Sequence, residues 1–252
     1  MKNKLVALAF LGLALTILGT IRINSRNQEQ QLAELQSAPD RGTIAWRVRL
    51  AKAKGEREVV LDPPTVLYAA SGSNLDEVLS NYTAVIAEPV AQRSYVSDDR
   101  QEVVTWYKFR IVENLSGRNF ASCPTCSSSI KPSEEMLPLD ADQFLMAKYG
   151  GVVVIDGIKV TTRQLGFPQF SMSTKYLLFV SLDSSGVAGM AVGPEGIFSV
   201  SDEGLLQPIN DTPHTIKREL ATRFDSSVYQ LKHELKNRFA GAVDPTGLRI
   251  FT

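Results

Sequence analysis

Cys123-Pro124-Thr125-Cys126 is the arrangement in this chain whose residue types and spacing are suited to making or breaking a bond. Two thiols three positions apart can close a small disulfide, exchange with other thiols, or supply half of a zinc site. A thioredoxin-type site needs the pair at the start of a helix, where the helix N-terminus stabilises the thiolate. Here the pair lies in a Ser- and Pro-rich stretch, 118–137, between runs that read as strands. A zinc knuckle needs a second pair of ligands, and the two histidines, His214 and His233, are far away in the sequence. The expectation is a local disulfide or idle thiols, with redox exchange and metal binding as alternatives. His233-Glu234-Leu235-Lys236-Asn237 begins like a zinc-protease helix, but Asn237 stands where the second histidine ligand is required. Asp140 and Asp142 fall far short of a calcium loop. The phosphate-binding, dinucleotide-binding and nucleophile-elbow glycine motifs are absent, so the sequence offers no cofactor fingerprint. Asn81-Tyr82-Thr83 and Asn114-Leu115-Ser116 fit the glycosylation triplet, a pattern that arises often by chance.

The composition bounds what such residues can be part of. The chain has 252 residues, 44% of them apolar and 21% charged, so a packed core is expected rather than disorder. Lys plus Arg equals Asp plus Glu at 27 each. That balance argues against a nucleic-acid binder relying on a basic field. Tyr95, Trp106, Tyr107 and Phe109 could stack on single-stranded bases, but with neutral charge they read better as core.

Lys2 and Lys4 precede an apolar run from Leu5 to Ile21. Its 17 residues lie at the short limit of a membrane-spanning helix and just over a signal-peptide core, and the small-residue cleavage pattern is poor. The expectation is an uncleaved signal anchor over 1–23 that places the following domain outside the cytoplasm, with a cleaved signal peptide as the alternative. A polar and then basic juxtamembrane stalk is expected over 24–57. Within it, 41–57 is ambiguous. Ile44, Trp46, Val48 and Leu50 alternate as in a strand, whereas Leu50 to Lys54 favours a helix by propensity. Arg41, Arg47, Arg49, Lys52 and Lys54 make this the most basic part of the chain. Contact with anionic lipid headgroups is one reading, and an ordinary solvated face is the other.

The elements that must position any site begin at Asn74. A short capped helix, 74–79, leads into two long strands, Ala84–Val96 and Val103–Ile111, joined by the polar turn Ser97-Asp98-Asp99-Arg100. Further strands are expected over Gln143–Tyr149, Val152–Ile155, Ile158–Thr162 and Lys175–Leu182, with short ones over 186–192, 196–200 and 205–209. Asp156-Gly157 is the strongest hairpin signal, because both residues tolerate positive φ. Gly166 to Phe170 reads as a loop with apolar plugs. Several short strands at this spacing indicate a barrel or sandwich. After Asp211 the period changes. Ile216, Leu220, Phe224, Val228, Leu231, Leu235 and Phe239 recur at steps of three and four. They predict an amphipathic helix over 211–241, capped by Asp211 or Thr212 with Pro213 in the first position and a break at Asp225-Ser226-Ser227. Its stripe packs on the strands or lies in a membrane surface. A tail follows over 242–252.

The order of these segments, from "AVIAEPVAQRSYVSDD…VVTWYKFRIVENLSG" through "GFPQFSMSTKYLLFV" to "AVGPEGIFSVSDEG", resembles bacterial exported proteins whose domain is similar to the netrin-like, tissue-inhibitor-of-metalloproteinase type of OB barrel. The resemblance spans roughly residues 74–209 and is one of strands and turns. It implies a mainly β, α+β domain: a small antiparallel OB-like β-barrel over 58–210, behind the anchor and stalk. The inhibitor family acts through an N-terminal Cys, and no residue here matches it, so the resemblance implies the fold and not the activity. The functional expectation is a membrane-tethered extracytoplasmic binding or assembly module without catalytic activity, partnered by the membrane and an envelope protein and not by nucleic acid. The alternatives are a thiol-active envelope protein using Cys123 and Cys126, or a protease-inhibitor-like domain.

Overall fold

A computed structural model describes residues 29–61, 74–117, 119–122, 132, 134–164 and 166–240. The expected anchor, the Cys123/Cys126 pair and the 242–252 tail lie outside the described residues. Among those described, no helix is long and apolar enough to cross a membrane.

The segment that reads equally as strand or helix is a helix. Following α1 (29–36), α2 spans Ile44–Lys54. Thr43 caps it by accepting from Trp46 N, and Gly55 closes it in the left-handed region at φ 73°. The alternation of Ile44 and Val48 is overruled because, with Ala51, they also fall at i, i+4 and i+7, a stripe that the helix buries. That stripe covers one face of a small sheet, β1 (Glu58–Leu61), β7 (Ile158–Thr162) and β6 (Gly151–Ile155), in the order β1-β7-β6 with β1 parallel to β7. So 44–54, expected in the stalk, is packed into the fold.

The larger sheet runs β11-β10-β8-β2-β3-β5. Helix α3 (Leu75–Asn81), capped by Asn74, leads into β2 (Thr83–Val96), which pairs with β3 (Val103–Asn114) along its whole length. β5 (Gln143–Tyr149) pairs with β3, and β8 (Lys175–Leu182) returns antiparallel to β2. Short strands β4 (Ala121–Ser122), β9 (Ala188–Met190) and β10 (Phe198–Val200) also pair with β8, and β11 (Leu206–Pro208) pairs with β10. Two register shifts in β2, between Ile86 and Ala87 and between Pro89 and Ala91, bend the sheet. The expected barrel does not close. Between β5 and the β8–β9 turn there is one parallel bridge, Leu145 to Val187, with Leu145 N donating to Gly186 O at 2.9 Å. Asp183 Oδ1 closes this turn by accepting from Ser185 N, Ser185 Oγ and Val187 N.

The concave face of this sheet is filled by aromatics. Tyr107 and Phe109 from β3, Phe144 from β5 and Tyr176 from β8 meet Phe167 and Phe170, which plug in from the loop after β7. Phe170 stands edge-on to four rings at centroid distances of 4.9–5.7 Å. Trp106, on the opposite parity of β3, is also fully buried, under Met136 and Val187.

The C-terminal stripe packs on the outer face of the sheet. It forms two helices, α4 (Thr215–Phe224) and α5 (Val228–Arg238), broken where Asp225 and Ser226 take positive φ. Ile216, Leu220, Phe224, Leu231 and Leu235 are buried with Leu75, Ile86, Leu177 and Phe179. The cap of α4 is His214, two residues after Thr212 and three after Asp211: its Nδ1 accepts from Ile216 N, so Pro213 stays outside the helix. Three basic residues of these helices pair with carboxylates of the fold. Arg223 and Arg238 both bind Asp76 on α3, at 3.1 and 2.8 Å, and Lys232 pairs with Glu113. Arg223 first, then Arg238, holds the Asp76 carboxyl below its usual range. A depressed carboxylate stabilises the fold above its unfolded pKa, and that contribution is lost as pH falls through the lower folded value. Asp76→Asn should cost roughly 1 kcal/mol at pH 7 in urea denaturation, and the difference from the parent should vanish under acid conditions.

Candidate functional site

The inward-facing row of β5 is Phe144, Met146, Lys148, and it lies opposite Phe109, Tyr107, Thr105 of β3. Two rungs of this row are apolar and aromatic; the last is Thr105 against Lys148. Both residues are buried, Thr105 at 2% and Lys148 at 4% exposure. The sheet thus places an ammonium at the mouth of its own aromatic interior.

The chain leaves that mouth through Gly150-Gly151, at φ 90° and 146°, turning from β5 into β6 of the small sheet. Glycine is required at both. A Cβ on Gly150 would stand 2.9 Å from Thr162 O, and a Cβ on Gly151 would fall on the Thr105 hydroxyl and 2.7 Å from Ser94 Oγ. The Thr105 hydroxyl donates to Gly150 O at 2.6 Å and shares a hydrogen bond with Ser94 Oγ at 2.7 Å. This corner brings the end of β7 alongside Lys148.

Together these elements enclose a cleft of about 360 Å³. Lys148 forms one wall, Thr161 to Gln164 at the end of β7 and just beyond it a second, and Phe167 to Gln169 the third. Lys148 Nζ lies 5.3 Å from the centroid of the Phe167 ring. Among the described residues no carboxylate pairs with it and no hydrogen bond reaches Nζ. Burial alone pushes its pKa down, to about 8. Thr162 Oγ1, also buried, has no hydrogen-bond partner. Thr161 donates to Glu58 at 3.2 Å, and Glu58 is itself paired with Lys159 at 3.0 Å, so the carboxylate beside the cleft is already engaged. The cleft presents an ammonium, the Arg163 guanidinium, threonine hydroxyls, the Gln164 and Gln169 amides and the apolar Phe167 and Pro168, and among the described residues no acidic residue or histidine lines it.

The residues singled out from sequence fall elsewhere. Of the basic set, Arg49 pairs with Asp40, Lys52 with Asp156 and Lys54 with Glu56, all on exposed surface, whereas Arg41 and Arg47 form no ion pair among the described residues. The Asp140 carboxylate accepts from Gln143 Nε2 at 2.6 Å, closing a turn. Asn114 accepts from Ser116 Oγ and Gly117 N at the end of β3. His233 and Asn237 meet only each other, at 3.2 Å on the exposed side of α5. Among the described residues no group of three His, Cys, Asp or Glu side chains is placed to hold a metal. Sequence reasoning did not single out Lys148. The available signal was parity: in QFLMAKY it shares a face with Phe144 and Met146.

Comparison with known proteins returned no match: no family model fits the chain, and no curated protein or solved structure is significantly similar to it.

Proposed function

We propose that this chain is a membrane-tethered extracytoplasmic binding module whose ligand site is the Lys148 cleft, and that it acts by binding rather than by catalysis. The observation that carries the binding assignment is a buried ammonium, without a counter-ion among the described residues, at the open end of a preformed cleft. Placing a charge there costs stability that packing does not return, so a role in recognition accounts for it. The size of the cleft lies at the lower end of small-molecule sites, roughly 300–1,000 Å³. Binding is favoured over chemistry because, among the described residues, the lining holds no acid or histidine to exchange a proton with the amine.

Strand order supports the resemblance to OB-type domains. β2, β3 and β5 form a meander, β8 returns to β2, β9 pairs with β8, and the segment before β9 meets β5 in parallel, as in a partly open five-stranded barrel. The tether rests on the apolar run from Leu5 to Ile21. Arg41 and Arg47 are the members of the basic set left for anionic headgroups, the other three being paired within the fold.

The tether is tested in cells expressing the full chain. It should resist carbonate extraction, dissolve in detergent, and be cut by protease added outside the cytoplasmic membrane. Recovery in the soluble cytoplasmic fraction, protected from that protease, would remove this reading.

A further inference from the structure

We propose that the Lys148 cleft is a site for a small organic carboxylate, with the carboxylate on Lys148 Nζ and the Thr162 hydroxyl and the apolar body of the ligand against Phe167 and Pro168. The inference rests on the cleft being the binding site and adds the chemistry of what it takes.

Four observations converge. The first is that Lys148, 96% buried, carries three N–H donors and no acceptor among the described residues. The face of Phe167 compensates the charge in part, but a ring is not a hydrogen-bond acceptor equal to an oxyanion. A second donor in the same wall, Thr162 Oγ1, is buried and unused. Arg163 adds a further cation to the lining, and the carboxylate bonded to lining residue Thr161, Glu58, is also held by Lys159. Finally, Phe167 and Pro168 give the lining an apolar part.

One buried ammonium and a hydroxyl suit a singly charged anion. The apolar wall suits a ligand with a hydrocarbon or aromatic body, which inorganic phosphate lacks. A pKa near 8 leaves the amine mostly protonated at neutral pH, so the charge is present to be met. The groups lining the cleft beside it are Arg163, a cation, and Thr161, Thr162, Gln164 and Gln169, which are neutral.

A second cationic cleft, at 208–218, differs in the respect that matters. There the Lys217 ammonium already donates to the backbone oxygens of Asn210 and Thr212, at 2.8 and 2.7 Å. Its cation is spent inside the fold.

The test titrates the full chain in detergent with sodium benzoate, sodium butyrate and sodium phosphate at constant ionic strength, reading calorimetric binding heat and backbone amide shifts. Benzoate and butyrate should bind with shifts confined to Lys148, 161–164 and 167–169, and phosphate should bind at least about tenfold more weakly. Lys148→Met, which removes the charge and keeps the volume, should weaken benzoate at least about tenfold while circular dichroism stays native. Lys148→Arg should recover part of that loss. Phosphate binding better than either carboxylate, with the same residues shifted and the same loss in Lys148→Met, overturns the ligand class and leaves the cleft as the site. No anion shifting these residues, or benzoate binding unchanged in Lys148→Met, overturns both.

Discussion

Lys148→Met should make the protein more stable, by roughly 1–3 kcal/mol at pH 7, with Tm higher by several degrees. Methionine fills nearly the same volume and needs no hydrogen bonds, so it keeps the row with Phe144 and Met146 and removes a buried, uncompensated charge. The pH dependence identifies the cause. The folded pKa of about 8 lies below the unfolded value, so the unfolded chain binds more protons between the two. Stability of the parent therefore rises with pH across the window from about 8 to about 10.5 as the penalty is relieved, and is at its full cost below it. The variant lacks this rise, so its advantage should be constant from pH 6 to 7.5 and shrink above pH 8. Urea denaturation of both proteins from pH 6 to 10 measures it. A variant less stable than the parent at pH 7 would mean that Lys148 is compensated in the fold, and the basis for a site there would be lost.

Gly151→Ala should act in the opposite direction and more strongly. At φ 146° an L-residue is strained, and the new methyl group would occupy the place of the Thr105 hydroxyl and press on Ser94. Neither can yield without breaking the Ser94–Thr105–Gly150 hydrogen bonds that fix the corner. Backbone strain and overpacking together should cost about 3 kcal/mol or more, a fall in Tm on the order of 10 °C. Gly157→Ala provides the control. That glycine also has positive φ, 79°, but nothing lies within 4 Å of an added Cβ, so its cost should be limited to roughly 1 kcal/mol of backbone strain. Equal losses in the two variants would show that the corner is not tightly packed.

How much of this was legible depends on the range of the forces involved. The long strands β2 and β3, the Asp156-Gly157 hairpin and the α3 cap are written in local patterns, and each is where its residues place it. Residues Ile44 to Lys54 satisfy two periods at once, and only the burial of Ile44, Val48 and Ala51 against the small sheet chooses between them. That the barrel stays open is not legible in the sequence, because pairing at the gap is reduced to the single bridge of Leu145 to Val187, residues remote in sequence. The cap at His214 was missed because Asp, Thr and Pro just before it form the commoner signal. Lys148 was missed for a further reason. Both faces of β5 are apolar, with Leu145, Ala147 and Tyr149 on the other parity, so the strand itself does not say that a lysine is inside. Its isolation depends on the absence of an acid on β7 and on Phe167 arriving from a loop after it.

The titration of the Lys148 amine is the most direct test of the central claim. With side-chain lysine NMR on the full chain, and assignment by Lys148→Met, the free protein should show Lys148 titrating near pH 8, below the ordinary lysine value. Saturating benzoate should move that titration upward by at least about one unit, because an anion beside the amine favours its charged form. A Lys148 that titrates at the ordinary lysine value, near 10.4, and does not respond to benzoate would contradict a buried cation waiting for its anion.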